Sequence, residues 1–216
     1  MLKNVPIYSL ALVYSCFMYA CNETLPPRNL NRKPAVNFIK DIPIGKQSRY
    51  GEYTSVNKNA SALNLDSLEL GYDSLQLRIW LGHSLSIQKH VIILNYNDKK
   101  WSGYLVGFKG DLDSVNSKTV TKVNPKSGWY IFIKNIFNLQ VLTLPDDEGI
   151  VGYNTCAGDG DPFYFEWATE RKYRFYSYCY PEGNLLYWQA NNVLKIAAFL
   201  EDQLDFKYTK DFKYTK

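Results

Sequence analysis

Chemistry in this chain has to come from carboxylates, tyrosines, two histidines and a few cysteines, and their spacing narrows what they can do. His83 and His90 flank an expected turn and stand outside any HExxH or nucleophile-associated pattern, and the chain contains no GxSxG, Walker loop or GxGxxG. Asp146, Asp147, Glu148, Asp159 and Asp161 are the acids from which a glycosidase-type carboxylate pair would be drawn. Loops are rich in acids for reasons of solubility, so the pattern alone carries little. The run Gly158-Asp-Gly-Asp-Pro162 offers two carboxylates and no glutamate at the twelfth loop position, short of what calcium needs, and reads as a tight turn. Cys156 and Cys179 sit in no CxxC or CxxH context, so neither zinc nor redox catalysis is expected, and no cofactor or metal is assigned. In an oxidising compartment the two could pair, which the chain-entropy relation values at about 3 kcal/mol.

Tyrosine is the more informative residue. Of 216 residues, 18 are Tyr, 11 Phe and 5 Trp. In the segment 163–180, Phe163, Phe165 and Trp167 alternate along one strand and Tyr173 and Phe175 along the next. Matching those apolar faces across an antiparallel pair requires an odd loop, Thr169-Glu170-Arg171, which sets Trp167 opposite Tyr173, Phe165 opposite Phe175 and Glu166 opposite Arg174. On the outer face this leaves Tyr164, Tyr176, Tyr178 and Tyr180 beside Arg174. Such a row is a candidate surface for a sugar or a protein, because tyrosine covers large area at low rotamer cost. The competing reading places the row beneath a C-terminal helix.

The elements that would position these residues follow from periodicity. Ser74–Leu81 alternates as a half-buried strand, His90–Tyr96 and Trp101–Phe108 form a hairpin about Asn97-Asp98-Lys99-Lys100, and Lys118–Val123 is a fourth, weaker strand. Trp129, Phe132, Ile133, Ile136 and Phe137 recur at helical spacing, giving an internal helix over about 128–138 with Ser127 as its cap. Ile150–Asn154, Phe163–Ala168 and Lys172–Tyr180 return to strand character, and a helix over about 186–204 closes the domain. The predicted fold class is α+β, an antiparallel sheet of hairpins with two helices.

The N-terminus speaks to location. One lysine, Lys3, precedes an uncharged apolar run that closes on Ala20-Cys21, the organisation of a secretory signal. The segment Met18-Tyr19-Ala20-Cys21 resembles the lipobox of bacterial lipoproteins, and Val13-Tyr14-Ser15-Cys16 is a competing match with a shorter apolar core. The resemblance implies diacylglyceryl modification of Cys21, and Asn22 in place of aspartate implies the outer membrane. The expected organisation is a signal at 1–20, a polar, Pro-rich tether and irregular segment at 21–70, one domain at 71–204, and a duplicated hexapeptide Asp-Phe-Lys-Tyr-Thr-Lys at 205–216. The formal charge of +4 resides mainly in Lys3 and the two hexapeptides, leaving +1 for residues 21–204. That is too little for a phosphate-neutralising surface, and nucleic-acid binding is not expected.

The segments Leu77-Arg-Ile-Trp-Leu81, Lys100-Trp-Ser-Gly103, Ser127-Gly-Trp129 and Lys172-Tyr-Arg-Phe-Tyr176 resemble those of small uncharacterised envelope lipoproteins of Bacteroidota, over about residues 70–205. The resemblance implies no activity and no functional residue. The expected function is a lipid-anchored envelope module that binds a protein or glycan without catalysis. An inhibitor or immunity-type protein is the alternative, and a carboxylate-dependent hydrolase a weaker third.

Overall fold

The computed structural model describes residues 24–25, 31–43, 47–81, 89–110, 115–155 and 162–207. Among them the strands are β1 (Ile39–Asp41), β2 (Leu75–Leu81), β3 (Lys89–Asn97), β4 (Lys100–Lys109), β5 (Ser117–Val123), β6 (Phe163–Ala168) and β7 (Lys172–Tyr178). The helices are α1 (Gln47–Ala62), α2 (Trp129–Asn138) and α3 (Trp188–Leu204). The strands form a single mixed sheet in the order β1-β7-β6-β2-β3-β4-β5, antiparallel throughout except where β1 runs parallel to β7. The fold is α+β, as the periodicities predicted.

Side chains alternate between two buried faces. On one, Leu77, Ile79, Ile92, Leu94, Phe165, Tyr176 and Tyr178 meet the apolar stripes of α2 and α3. Phe132, Ile133 and Ile136 of α2 and Val193, Ile196, Leu200 and Leu204 of α3 recur at three and four residues, and Phe132 stacks on Phe199 at 5.5 Å. Each such aliphatic side chain contributes about 1.5–3 kcal/mol by leaving water. The cap differs from expectation. Gly128, at φ 77°, takes the N-cap position, while Ser127 Oγ finds no partner and its amide donates to Gln203 Oε1. Glycine suits a position that needs positive φ.

On the other face, Trp80, Val91, Ile93, Val106, Phe108, Tyr164, Tyr173 and Phe175 lie under α1 and the chain that follows it, through Tyr53, Val56, Ala60, Leu63, Leu65 and Leu68. This corrects the expected irregular tether to residue 70. Its second half is a sixteen-residue helix packed on the sheet. The preceding segment is also held down: Arg32 pairs with Asp73 at 3.0 Å and lies over the Tyr72 ring, and Lys40 pairs with Glu69 at 3.0 Å. A polar network crosses this face. Arg78 donates to Glu166 (3.3 Å), Gln76 (2.7 Å) and the Asp66 carbonyl (2.8 Å), while Trp80 Nε1 and Tyr173 Oη donate to the Glu166 carboxylate, each at 3.1 Å. Gln76 Nε2 extends the chain to Asn95 at 2.7 Å. Fully buried Asn59 on α1 stands apart, with neither side-chain polar atom partnered.

The two edges of the sheet are treated differently. Beside β7, β1 covers Lys172–Arg174. Farther along, the Asp146 and Asp147 carboxylates accept the amides of Ser177 (3.1 Å) and Cys179 (2.7 Å). On the far side β5 ends the sheet, almost wholly exposed and carrying Lys118 and Lys122. The strand expected at Ile150–Asn154 is a turn following a short 3-10 segment, Asp147–Gly149. The first residues of the tail are docked: Phe206 packs on His90 at 5.7 Å.

Candidate functional site

The tyrosine row is dispersed. The β6–β7 turn has two central residues, Glu170 and Arg171, because the Thr169 amide bonds the Lys172 carbonyl at 2.8 Å. An even loop shifts every pairing by one: Trp167 lies opposite Arg174, Glu166 opposite Phe175 and Phe165 opposite Tyr176. Tyr176 and Tyr178 therefore share the α2/α3 face with Phe165, while Tyr164 belongs to the α1 face. All three are buried. Tyr176 stacks on Phe165 at 4.8 Å and donates to the Val141 carbonyl, and Tyr178 donates to the Pro145 carbonyl at 2.7 Å. Burial holds both hydroxyls neutral well above the usual tyrosine range. Tyr180 lies beyond β7 at φ 52°, half-buried. The expected Glu166–Arg174 pair does not form, since Glu166 is taken by Arg78. Arg174 donates to the carbonyls of Leu142 (3.1 Å) and Leu144 (2.6 Å), pairs with Asp41 (3.2 Å) and covers the Tyr176 ring. It clamps a loop to the sheet.

The loop acids are similarly committed. Asp146 accepts from the amides of Glu148 and Ser177, and buried Asp147 accepts from that of Cys179. A groove of about 260 Å³ runs between this loop and Asp41–Pro43, with Glu148 and Arg174 on its walls. Cys16, Cys21, Cys156, Asp159, Asp161 and His83 lie outside the described residues, and with them the lipid site and the Cys156–Cys179 pairing.

What the structure does expose is a set of apolar side chains on two neighbouring segments, at 151 and 185–188, that the sequence did not mark. Val151 (96% exposed) and Leu186 (98%) project fully, and Leu185 and Trp188 are also exposed. Their backbone is rigidly placed. Buried Asn184 bridges the Asn154 amide (2.9 Å), the Asn154 carbonyl (3.1 Å) and the Tyr180 carbonyl (2.9 Å). Asn191, one turn into α3, holds the carbonyls of Leu185 (2.7 Å) and Tyr187 (3.0 Å). Beneath, Tyr187 packs on Tyr153 at 5.4 Å and Tyr153 on Tyr178 at 5.9 Å. Gly152, at φ 79°, passes so close to Tyr187 that a Cβ there would lie 2.7 Å from the hydroxyl, which brings Val151 beside the 185–188 turn. The sequence carries no clear signal for them: single exposed leucines are ordinary, and Leu186 falls within the helix expected over about 186–204.

Comparison with known proteins identifies no class: no family model, no curated protein and no solved structure matches the chain. Among the described residues no helix is long and apolar enough to cross a membrane, and no cluster of His, Cys, Asp or Glu suited to a metal is formed.

Proposed function

We propose that this chain is a lipid-anchored envelope protein whose folded domain binds another protein, without catalysis of its own, through Val151, Leu185, Leu186 and Trp188. The observation that carries the reading is the exposure of these four large apolar side chains on a rigid support. Apolar residues grouped on the surface mark interaction sites, and Trp188 is of the residue type that most often dominates binding energy once desolvated. Three of the four are aliphatic and offer no flat ring for a sugar to stack on, which favours a protein over a glycan. The anchor half of the reading rests on the lipobox-like Met18-Tyr19-Ala20-Cys21. A stoichiometric inhibitor or immunity-type complex is one form such a partnership takes.

A photo-crosslinker placed at position 186 in intact envelopes tests the surface. One dominant adduct is expected, and Leu185→Ser/Leu186→Ser should abolish capture of the same partner with thermal stability unchanged, because neither side chain is part of the core. Undiminished capture by the double variant would remove this surface from consideration. Turnover on a sugar or peptide panel would overturn the non-catalytic reading.

A further inference from the structure

The reach of the chain after Cys21 constrains which end of the domain a lipid anchor would hold. Leu25 lies four residues beyond Cys21, so a fully extended chain separates them by at most about 14 Å. Leu25 is not loose. It packs on the α1 face and lines a small cavity with Ile93, Asn95 and Tyr104. Asn95 stands two residues, about 7 Å, before the β3–β4 turn. Tyr104 pairs directly with Lys122 on β5.

The turn itself is unusual in composition. Asn97 pairs with Lys100, and the two residues between them, Asp98 (φ 49°) and Lys99 (φ 61°), both take positive φ, the type I′ form. Glycine is the favoured residue at the second central position, and a lysine there is strained. Asn97, Asp98, Lys99, Lys100 and Lys122 are all exposed, three lysines against one aspartate. Asp73, near the same end of the sheet, is neutralised by Arg32. Just behind the turn, half-buried Tyr96 and Trp101 pack together at 5.0 Å, the residue types that settle at a headgroup boundary. The apolar cluster lies at the other end of the strands, beyond Tyr178, which pairs with Phe163 at the end of β6 remote from the β6–β7 turn.

We infer that the β3–β4 turn is the bilayer-facing end of the domain, with Lys99, Lys100 and Lys122 contacting anionic lipid headgroups. The inference rests on the anchor at Cys21 proposed above. It orients the molecule: lysines and the Tyr96–Trp101 pair toward the lipid, and Val151, Leu186 and Trp188 away from it, toward a partner. Strain at Lys99 is the local cost of presenting a cation at the tip, where glycine would fold more easily.

The test compares the full-length chain with its Lys99→Gly/Lys100→Gln variant on vesicles of phosphatidylglycerol and phosphatidylethanolamine, and on phosphatidylcholine alone. At low salt the variant should partition about thirtyfold less onto the anionic vesicles, from the worth of two surface lysines, and equally onto the neutral ones. Lys99→Gly alone should raise thermal stability while weakening anionic binding, a pair of opposite signs that general damage to the fold does not produce. Equal partition of wild type and double variant on anionic vesicles overturns the lipid-facing turn. Fatty-acid labelling that persists in a Cys21→Ser chain overturns the anchor alone, since the vesicle comparison does not use it.

Discussion

The two faces of the sheet are both buried, yet they are held by different physics. The α2/α3 face is chiefly a contact of aliphatic and aromatic side chains, stabilised by area removed from water. The α1 face carries Arg78, Glu166, Gln76 and Asn95 in one network, with Trp80 and Tyr173 donating into it. Buried charges of this kind add little net stability, because desolvation offsets the attraction, but they are intolerant of misplacement. Arg78 and Glu166 are direct partners across β2 and β6, and a slip of one residue would turn Glu166 to the opposite face. One face supplies adhesion and the other fixes register.

If the two faces form one cooperative unit, the largest effect should strike both together. Tyr176 on one face and Tyr173 on the other have hydroxyls kept neutral far above the ordinary range, chiefly by burial, and for Tyr173 by the Glu166 carboxylate as well. A raised folded-state pKa contributes stability that is complete below the unfolded value, near pH 10, and is lost as pH climbs beyond it. Tyrosinate absorbance and circular dichroism should therefore change in one coincident alkaline transition above about pH 10. Separate transitions would show that the faces unfold independently. Next in size, Glu166→Leu leaves the Arg78 guanidinium buried without its counter-charge and should cost about 3–5 kcal/mol in urea denaturation. A loss under 1 kcal/mol would mean that the network does not set the register. The smallest effect has the opposite sign. Asn59→Leu removes two unpartnered buried polar atoms from beneath α1 and should stabilise by about 1–2 kcal/mol. A destabilised variant would show that Asn59 is satisfied in solution.

The same contrast explains what the sequence made legible. α2 and α3 could be read because their apolar residues recur with the helical period, β2 because its apolar residues alternate, and β3 and β4 because two short apolar runs flank the turn-forming Asn97-Asp98-Lys99-Lys100. α1 could not: Gly51, Thr54, Ser55, Asn57, Asn59 and Ser61 are poor helix formers, and only a narrow seam of Tyr53, Val56, Ala60 and Leu63 faces the sheet. Tertiary packing decides that helix. The β6–β7 register was misread for a related reason. The rule that apolar faces must match presumes one buried face, and here Phe165 and Tyr164 both go inward, on opposite sides. The candidate site was hidden behind its own support. Of the tyrosines that stood out, Tyr178 and the adjoining Tyr176 belong to the stack beneath it, and the exposed aliphatic residues above carry no composition signal.

The edges of the sheet carry a last consequence. β7 is covered by β1 over Lys172–Arg174 and by two aspartate carboxylates farther along, so the strand that ends the sheet on that side is the three-residue β1. β5 ends the sheet on the other side with no further strand beyond it among the described residues. Edge-to-edge association propagates only when each unit offers two open edges. With only three exposed residues, β1 gives a neighbouring strand little to pair with, so crowding such domains on a surface favours pairs through β5 over rows grown through native sheets.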